Sequence, residues 1–194
     1  MKNFLILLAI VATSQLFLHQ PKANWQKQLA PEAPFQTSDN LPLPWTYKDF
    51  TITPRAKYHL KAVVLSTHHY WAGEIEDTLS AYDLALGWGP MSDAMIINQL
   101  NISQDSRWYN YHWNNNPPLD PSEIISHSSN NHIIAADQNV LETIKRTKRY
   151  DVIELEGYLV DIQSKKKDWN WHTSLSRTDT TGGSCELFWV TSAL

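Results

Sequence analysis

The stretch that decides the fold is Tyr150–Ile162, which reads YDVIELEGYLVDI. Apolar side chains recur at every second position, which is the period of a β-strand whose two sides meet different surroundings. One side carries Val152, Glu154, Glu156, Tyr158, Val160 and Ile162, and the other carries Ile153, Leu155, Gly157, Leu159 and Asp161. Because a glycine inside a strand marks a bend or a bulge, the pattern predicts one long, curved strand.

Shorter strand and helix signals lie on both sides of this stretch. They predict strands at Tyr58–Ser66, Trp108–Trp113, His132–Ala136, Trp169–Ser176 and Cys185–Thr191, and helices at Pro90–Leu100 and Asp137–Lys145. A run of short strands with a helix just before a long bent strand is typical of small barrels. We therefore predict an α+β, mainly β fold: a small OB-like barrel or rolled antiparallel sheet with one or two short helices, preceded by an N-terminal hydrophobic segment.

Composition limits the classes of protein to which the chain can belong. Its 194 residues include 11% aromatics and 9 tryptophans, which excludes disorder of the whole chain. The formal net charge of −4 argues against a protein built mainly to bind polyanions. Two basic clusters, Lys145–Arg149 and Lys165–Lys167, are separated by about 50 Å of extended strand. Nucleic acid is therefore not expected as a partner.

The N-terminus carries a hydrophobic run, Phe4–Leu18, that follows Lys2. A basic residue before a short apolar run is typical of a secretory signal or a signal anchor. As a helix the run would be about 22 Å long, short of the roughly 30 Å hydrocarbon core. We predict a signal peptide or signal anchor at 1–23, a Pro-rich linker at 24–46 and a single globular mainly-β domain at 47–194.

An aromatic stretch is the first candidate binding site. It comprises Trp108, Tyr109, Tyr111, His112 and Trp113 and is followed by three asparagines. Aromatic faces beside amide side chains suit the stacking and hydrogen bonding that sugars need, so a carbohydrate-binding module is one hypothesis. Strand alternation places Trp108 and His112 on one face and the other three on the opposite face, so at most one set forms a site. Core packing is the competing interpretation.

The lone cysteine, Cys185, is the second candidate. With a histidine base such as His132 or His172, it could serve as the nucleophile of a thiol-dependent enzyme. It precedes an apparent core strand, where a cysteine more often acts as a small buried hydrophobe. No disulfide within the chain can form, because there is one cysteine.

A third grouping has ligand-type side chains but no matching signature. His68 and His69 precede Glu74, Glu76 and Asp77. Adjacent strand residues point to opposite faces, and no metal motif fits the spacing. No metal site and no cofactor is predicted.

Three segments carry a resemblance that covers roughly Phe50 to Val190. Asp83–Asp93, Ser174–Asp179 and the pair Cys185-Glu186 resemble a group of bacterial exported or membrane-anchored proteins with no assigned activity. The resemblance implies a bacterial, exported, single-domain protein and transfers no catalytic residue.

These observations lead to one main hypothesis and two alternatives. The main hypothesis is an accessory or binding module of the cell envelope, anchored in the inner membrane with its domain outside the cytoplasm, or periplasmic or secreted if the N-terminal segment is cleaved. Its expected partners are the membrane, through the N-terminal segment, and another envelope protein or a glycan. The alternatives are the thiol-dependent enzyme and the carbohydrate-binding module.

Overall fold

The computed structural model of the protein describes residues 22–71, 73–179 and 184–194. The fold is mainly β, with 43% of residues in strands and 17% in helices. The strands are β1 (Phe35–Thr37), β2 (Trp45–Tyr47), β3 (Phe50–His69), β4 (Tyr82–Gly87), β5 (Asn101–Asp105), β6 (Trp108–His112), β7 (Ser128–Ala135), β8 (Val152–Ser164), β9 (Asn170–Trp171) and β10 (Glu186–Ala193). The α-helices are α1 (Ile75–Leu79), α2 (Ala94–Ile97), α3 (Pro121–Ser126) and α4 (Gln138–Arg146).

Five of the strands pair in a closed cycle. β3 pairs with β4, β4 with β7, β7 with β10, β10 with β8, and β8 with β3. Every pairing is antiparallel except that between β7 and β10, which is parallel. The main cluster of buried residues lies against this cycle and includes Tyr58, Leu84, Leu155, Leu159 and Phe188.

The long strand predicted from YDVIELEGYLVDI is β8, and it runs without interruption past Gly157. The irregularity lies in the neighbouring strand β10, where the register shifts between Val190 and Ser192. A Cβ atom at Gly157 would collide with the carbonyl oxygen of Trp189. Glycine is thus required because two backbones approach closely, not because β8 itself breaks.

The helix predicted at Asp137–Lys145 forms as α4. The Asp137 side chain accepts a hydrogen bond from Val140 N at 2.9 Å, which caps the first turn. Val140 and Ile144 are buried in the main core cluster.

The helix predicted at Pro90–Leu100 divides in two. A 3-10 helix spans Gly89–Ser92, and α2 begins after Asp93. Asp93 has an extended backbone and accepts a hydrogen bond from Met95 N, so it ends one helix and caps the next. The strand predicted at Trp169–Ser176 is also shorter than expected, since only Asn170–Trp171 pairs with β8.

The proline-rich segment packs on the domain along much of its length. Ala23 N donates to Asn98 Oδ1 at 2.8 Å, and Trp25 Nε1 donates to the Ser92 carbonyl at 2.9 Å. Further along, β1 and β2 both pair with β3. The predicted linker at 24–46 therefore behaves as a strap that completes the sheet.

The hydrophobic run Phe4–Leu18 lies outside the described residues. Among the residues that are described, no helix has the length and apolar character needed to cross a membrane.

Candidate functional site

Two adjacent cavities lie on one side of the domain. The larger, here called the cleft, has a volume of about 720 Å³, and the smaller, here called the side pocket, has a volume of about 200 Å³. Trp108 and Cys185 line both. The two cavities therefore share a wall.

Five separate parts of the chain build the cleft, and one of them is the segment just before β10. His132 comes from β7, and Tyr70 and Asp77 come from the connection between β3 and β4. Arg107 is at the tip of the β5–β6 hairpin, and Trp171 is in β9. The cleft therefore lies on the β4–β7 side of the sheet, between loops that are far apart in the sequence but adjacent in space.

Arg107 joins these parts. Its Nη1 donates to Asp83 Oδ1 at 2.9 Å, and its Nη2 donates to Asp77 Oδ1 at 2.5 Å. The guanidinium carbon lies 3.7 Å from the centroid of the Tyr70 ring, a cation–π contact. Ser106 and Arg107 both have positive φ, +50° and +69°, which the tight hairpin turn requires. The hairpin tip is thus held against the sheet by charge as well as by packing.

The two carboxylates differ in their surroundings. Burial raises the pKa of Asp77, but hydrogen bonds from the Glu74 backbone and from Arg107 outweigh it, so the pKa lies below its ordinary value. Asp83 is fully buried and stands opposite His132 in the β4–β7 register. His132 Nδ1 lies 2.8 Å from Asp83 Oδ1, and its ring centroid lies 4.8 Å from that of Trp171. Beneath the cleft, the buried Asp83 carboxylate therefore contacts both Arg107 and His132.

Cys185 and His132 both line the cleft, as the thiol-enzyme hypothesis requires. The partners of Cys185 Sγ are the Asn130 amide at 3.7 Å and the Arg107 carbonyl at 3.8 Å. Within the described part of the chain, no hydrogen bond joins Cys185 to His132. Burial raises the pKa of the Cys185 thiol to about 12, and nearby carboxylates add to the rise. The thiol is therefore neutral near pH 7, and neither described partner of its Sγ is a base.

The other histidine proposed as a base is far more open to solvent. His172 also lines the cleft, but its side chain is 67% exposed and its Nδ1 lies 3.2 Å from Asp161 Oδ2. It is thus turned toward the Asp161 carboxylate, which is itself 16% exposed.

The aromatic stretch is divided between two environments. Tyr109, Tyr111 and Trp113 pack against a buried cluster around Ile97 and Ile102. Trp108 is 43% exposed, and His112 is exposed at the far end of β6. Tyr109 and Tyr111 also reach the side pocket, whereas His112 and Trp113 line neither cavity. One residue of the five, Trp108, thus offers an accessible ring at the cleft.

The side pocket contains a buried ion pair that sequence reasoning missed. Arg177 Nη1 lies 2.5 Å from Glu186 Oε1 and donates to Tyr58 Oη at 2.9 Å. Glu186 is 1% exposed. Burial raises the pKa of Glu186 to about 7, although the Arg177 guanidinium opposes the rise. In the sequence, the signal for this pair is that Arg177 and Glu186 lie in two of the segments that carry the resemblance, Ser174–Asp179 and Cys185-Glu186.

Ligand groups for a metal ion do not converge in the described residues, which contain no cluster of three or more histidine, cysteine or acidic side chains able to hold one.

Comparison with protein-family models, curated proteins and solved structures finds no match to this chain. The geometry and chemistry of the two cavities therefore carry the functional argument.

Proposed function

We propose that the protein is a binding module of the bacterial cell envelope that holds a glycan in the cleft. The observation that supports this most strongly is the position of an accessible aromatic ring, Trp108, at the mouth of a cleft of about 720 Å³. That volume falls in the range of ligand sites, roughly 300–1,000 Å³. The signal-like N-terminal run supports the envelope location, with the domain tethered to the membrane, or periplasmic or secreted if that run is cleaved.

The order of strands favours an OB-like barrel. The five strands of the closed cycle follow one another in the chain as β3, β4, β7, β8 and β10, and α4 enters between the third and the fourth. The first strand pairs with the second and the fourth, and the third pairs in parallel with the fifth. In OB-folds, oligonucleotides and oligosaccharides bind on the face of the second and third strands, between the flanking loops. The lining of the cleft supports this proposal, because it includes His132 of the third strand and residues of the connection between the first and second strands.

Charge favours a glycan over a nucleic acid. The acidic residues Glu74, Glu76 and Asp77 line the cleft, with Arg107 as the one permanently charged cation among its described lining residues. Arg107 is already held by two carboxylates. A polyanion depends on unpaired Lys and Arg side chains for its affinity, and this surface would repel it.

The chemistry of the walls suits a neutral, hydroxyl-rich ligand. The rings of Trp108, Trp171 and Tyr70 offer apolar faces, and Asn170 and Glu74 offer amide and carboxylate groups. Ligand sites of this kind combine aromatic surface with a few polar groups that set orientation.

The experiment is calorimetric titration of the full-length chain with neutral tetrasaccharides: chitotetraose, cellotetraose and maltotetraose. Trp108→Ala should weaken binding about tenfold, since loss of an aromatic contact of about 1.4 kcal/mol changes affinity by that factor. Trp71→Ala is the matched control, because Trp71 is 83% exposed and lies outside the lining of both cavities. Binding of none of the three sugars, or equal loss in the two variants, would overturn the proposal.

A further inference from the structure

The side pocket contains buried polar atoms that no group of the described residues satisfies. Within the described residues, Arg177 Nε, Arg177 Nη2 and Glu186 Oε2 have no hydrogen-bond partner. Both residues line the side pocket. A buried donor or acceptor without a partner costs about 1–3 kcal/mol, so native structures rarely leave one without a water or a ligand to bind it.

The Arg177 guanidinium is held in place by contacts on the edge opposite to its unpartnered atoms. Arg177 Nη1 is fixed by Glu186 Oε1 and by the Tyr58 hydroxyl. The free Nε and Nη2 atoms belong to the other edge of the same planar guanidinium, and two parallel N–H donors on one edge suit an acceptor oxygen. Glu186 Oε2 is an acceptor of the same ion pair that also has no partner among the described residues. The pocket thus presents donors and an acceptor at the two ends of one ion pair.

A secondary amide matches this arrangement better than a carboxylate does. Its carbonyl oxygen can accept from Arg177, and its N–H can donate to Glu186. The charges of Arg177 and Glu186 cancel, and Asp179 adds a further carboxylate at the pocket wall. An anionic ligand would meet no net positive charge there, whereas a neutral amide needs none.

We propose that the side pocket binds the acetamido group of an N-acetylated sugar whose ring lies against Trp108. The proposal rests on the proposed function, because the sugar ring is the ligand of the cleft. Trp108 lines both cavities, so a ring on one side of it can extend a substituent to the other. An acetamido group takes up on the order of 120 Å³ at the packing of water, and the side pocket has about 200 Å³.

The protonation of Glu186 gives the proposal a signature in pH. With its pKa raised to about 7 by burial, Glu186 is ionised at pH 8 and accepts the amide N–H, and it is largely protonated at pH 6 and loses that role. The ionisable groups that face it are Arg177, Asp179, Tyr58 and Cys185. Binding through the acetamido group should therefore weaken as the pH falls from 8 to 6.

The test compares chitotetraose with cellotetraose, which has the same backbone linkage but no acetamido group, on the full-length chain at pH 8 and pH 6. We expect chitotetraose to bind at least tenfold more tightly at pH 8 and the advantage to shrink at pH 6. Because cellotetraose occupies the same cleft, its own pH dependence corrects for pH effects on the cleft that do not involve the acetamido group. This comparison needs no variant.

Two variants then locate the effect. Arg177→Lys keeps the charge beside Glu186 but lacks the two-donor edge, so it should remove the chitotetraose advantage and leave cellotetraose binding unchanged. Glu186→Gln should remove the pH dependence of that advantage. Thermal unfolding of each variant checks that it is folded under the conditions of the titration.

The outcomes separate the two proposals. Equal affinity for the two sugars would refute the acetamido site and leave the glycan cleft standing. Binding of neither sugar would refute the proposed function together with the inference. Tighter binding of tetragalacturonate, increasing at pH 6, would show a carboxylate receptor instead and would also refute the acetamido site.

Discussion

Replacing Arg107 by methionine should destabilise the protein more than the loss of any surface ion pair. Methionine keeps most of the aliphatic length and the same backbone requirement at a residue whose φ is +69°. What disappears is the charge that Asp83 and Asp77 share. Asp83 is fully buried, so after the substitution its carboxylate would remain in the interior with His132 Nδ1, at 2.8 Å, as its one ion-pair contact in the described structure.

The size of the effect follows from burial. Removing one partner of a buried ion pair costs about 3–5 kcal/mol. The Arg107 side chain is 18% exposed and that of Asp77 is 10% exposed, so we expect the lower end, about 3 kcal/mol. For a chain of this size each kcal/mol lowers Tm by about 2–4 °C, which predicts a fall of about 6–12 °C.

Urea unfolding followed by circular dichroism measures the change. The control is Arg55→Met, because Arg55 pairs with Asp161 at 2.5 Å but is 47% exposed, and exposed pairs contribute about 0–1 kcal/mol. Adding Asp83→Asn to Arg107→Met should restore about 1 kcal/mol or more, because the fully buried carboxylate of Asp83 is then removed. If Arg107→Met costs no more than Arg55→Met, the ion pairs do not hold the hairpin tip and the reasoning is wrong.

Three further results are expected. Gly157→Ala should destabilise the protein by more than about 2 kcal/mol in the same urea assay, since the new Cβ would collide with the Trp189 carbonyl. Gly73→Ala is the control and should be nearly neutral, because its Cβ would lie 3.7 Å from Asp77 Oδ2. Equal destabilisation by the two substitutions would contradict this prediction. At pH 8, iodoacetamide should modify Cys185 about 1,000-fold more slowly than a free cysteine, because burial raises the pKa of the Cys185 thiol to about 12. A rate near that of the free thiol would revive the thiol-enzyme hypothesis. Because the pKa of Glu186 is raised, the folded state binds this proton more tightly than the unfolded state does. The stabilisation from this group is therefore complete below about pH 4.5 and is lost as the pH rises through about 7. The stability of Glu186→Gln should decline less between pH 5 and pH 8 than that of the unsubstituted protein, and an equal slope would contradict this prediction.

Elements whose causes are local could be predicted from the sequence. The alternation over Tyr150–Ile162 is a property of neighbouring residues, and β8 forms there. Asp137 caps α4 through a contact three residues away, so its role is also visible in the sequence. Residue alternation likewise places Trp108 on a different face from Tyr109. The mainly β fold with few helices follows from such signals.

The site depends on contacts that only the folded chain makes. Asp83 meets His132 because β4 and β7 pair in one particular register. Arg107 reaches Asp77 and Asp83 across 30 and 24 residues of chain, and no motif marks it. Sequence reasoning placed Cys185 and His132 at one site, and the tertiary structure decided that they share a cleft without a hydrogen bond between them. The sequence by itself determined β8 and α4, because alternation and capping act over a few residues. The tertiary structure alone decided the two cavities, because charge pairing and close backbone approach depend on residues that are neighbours only in space.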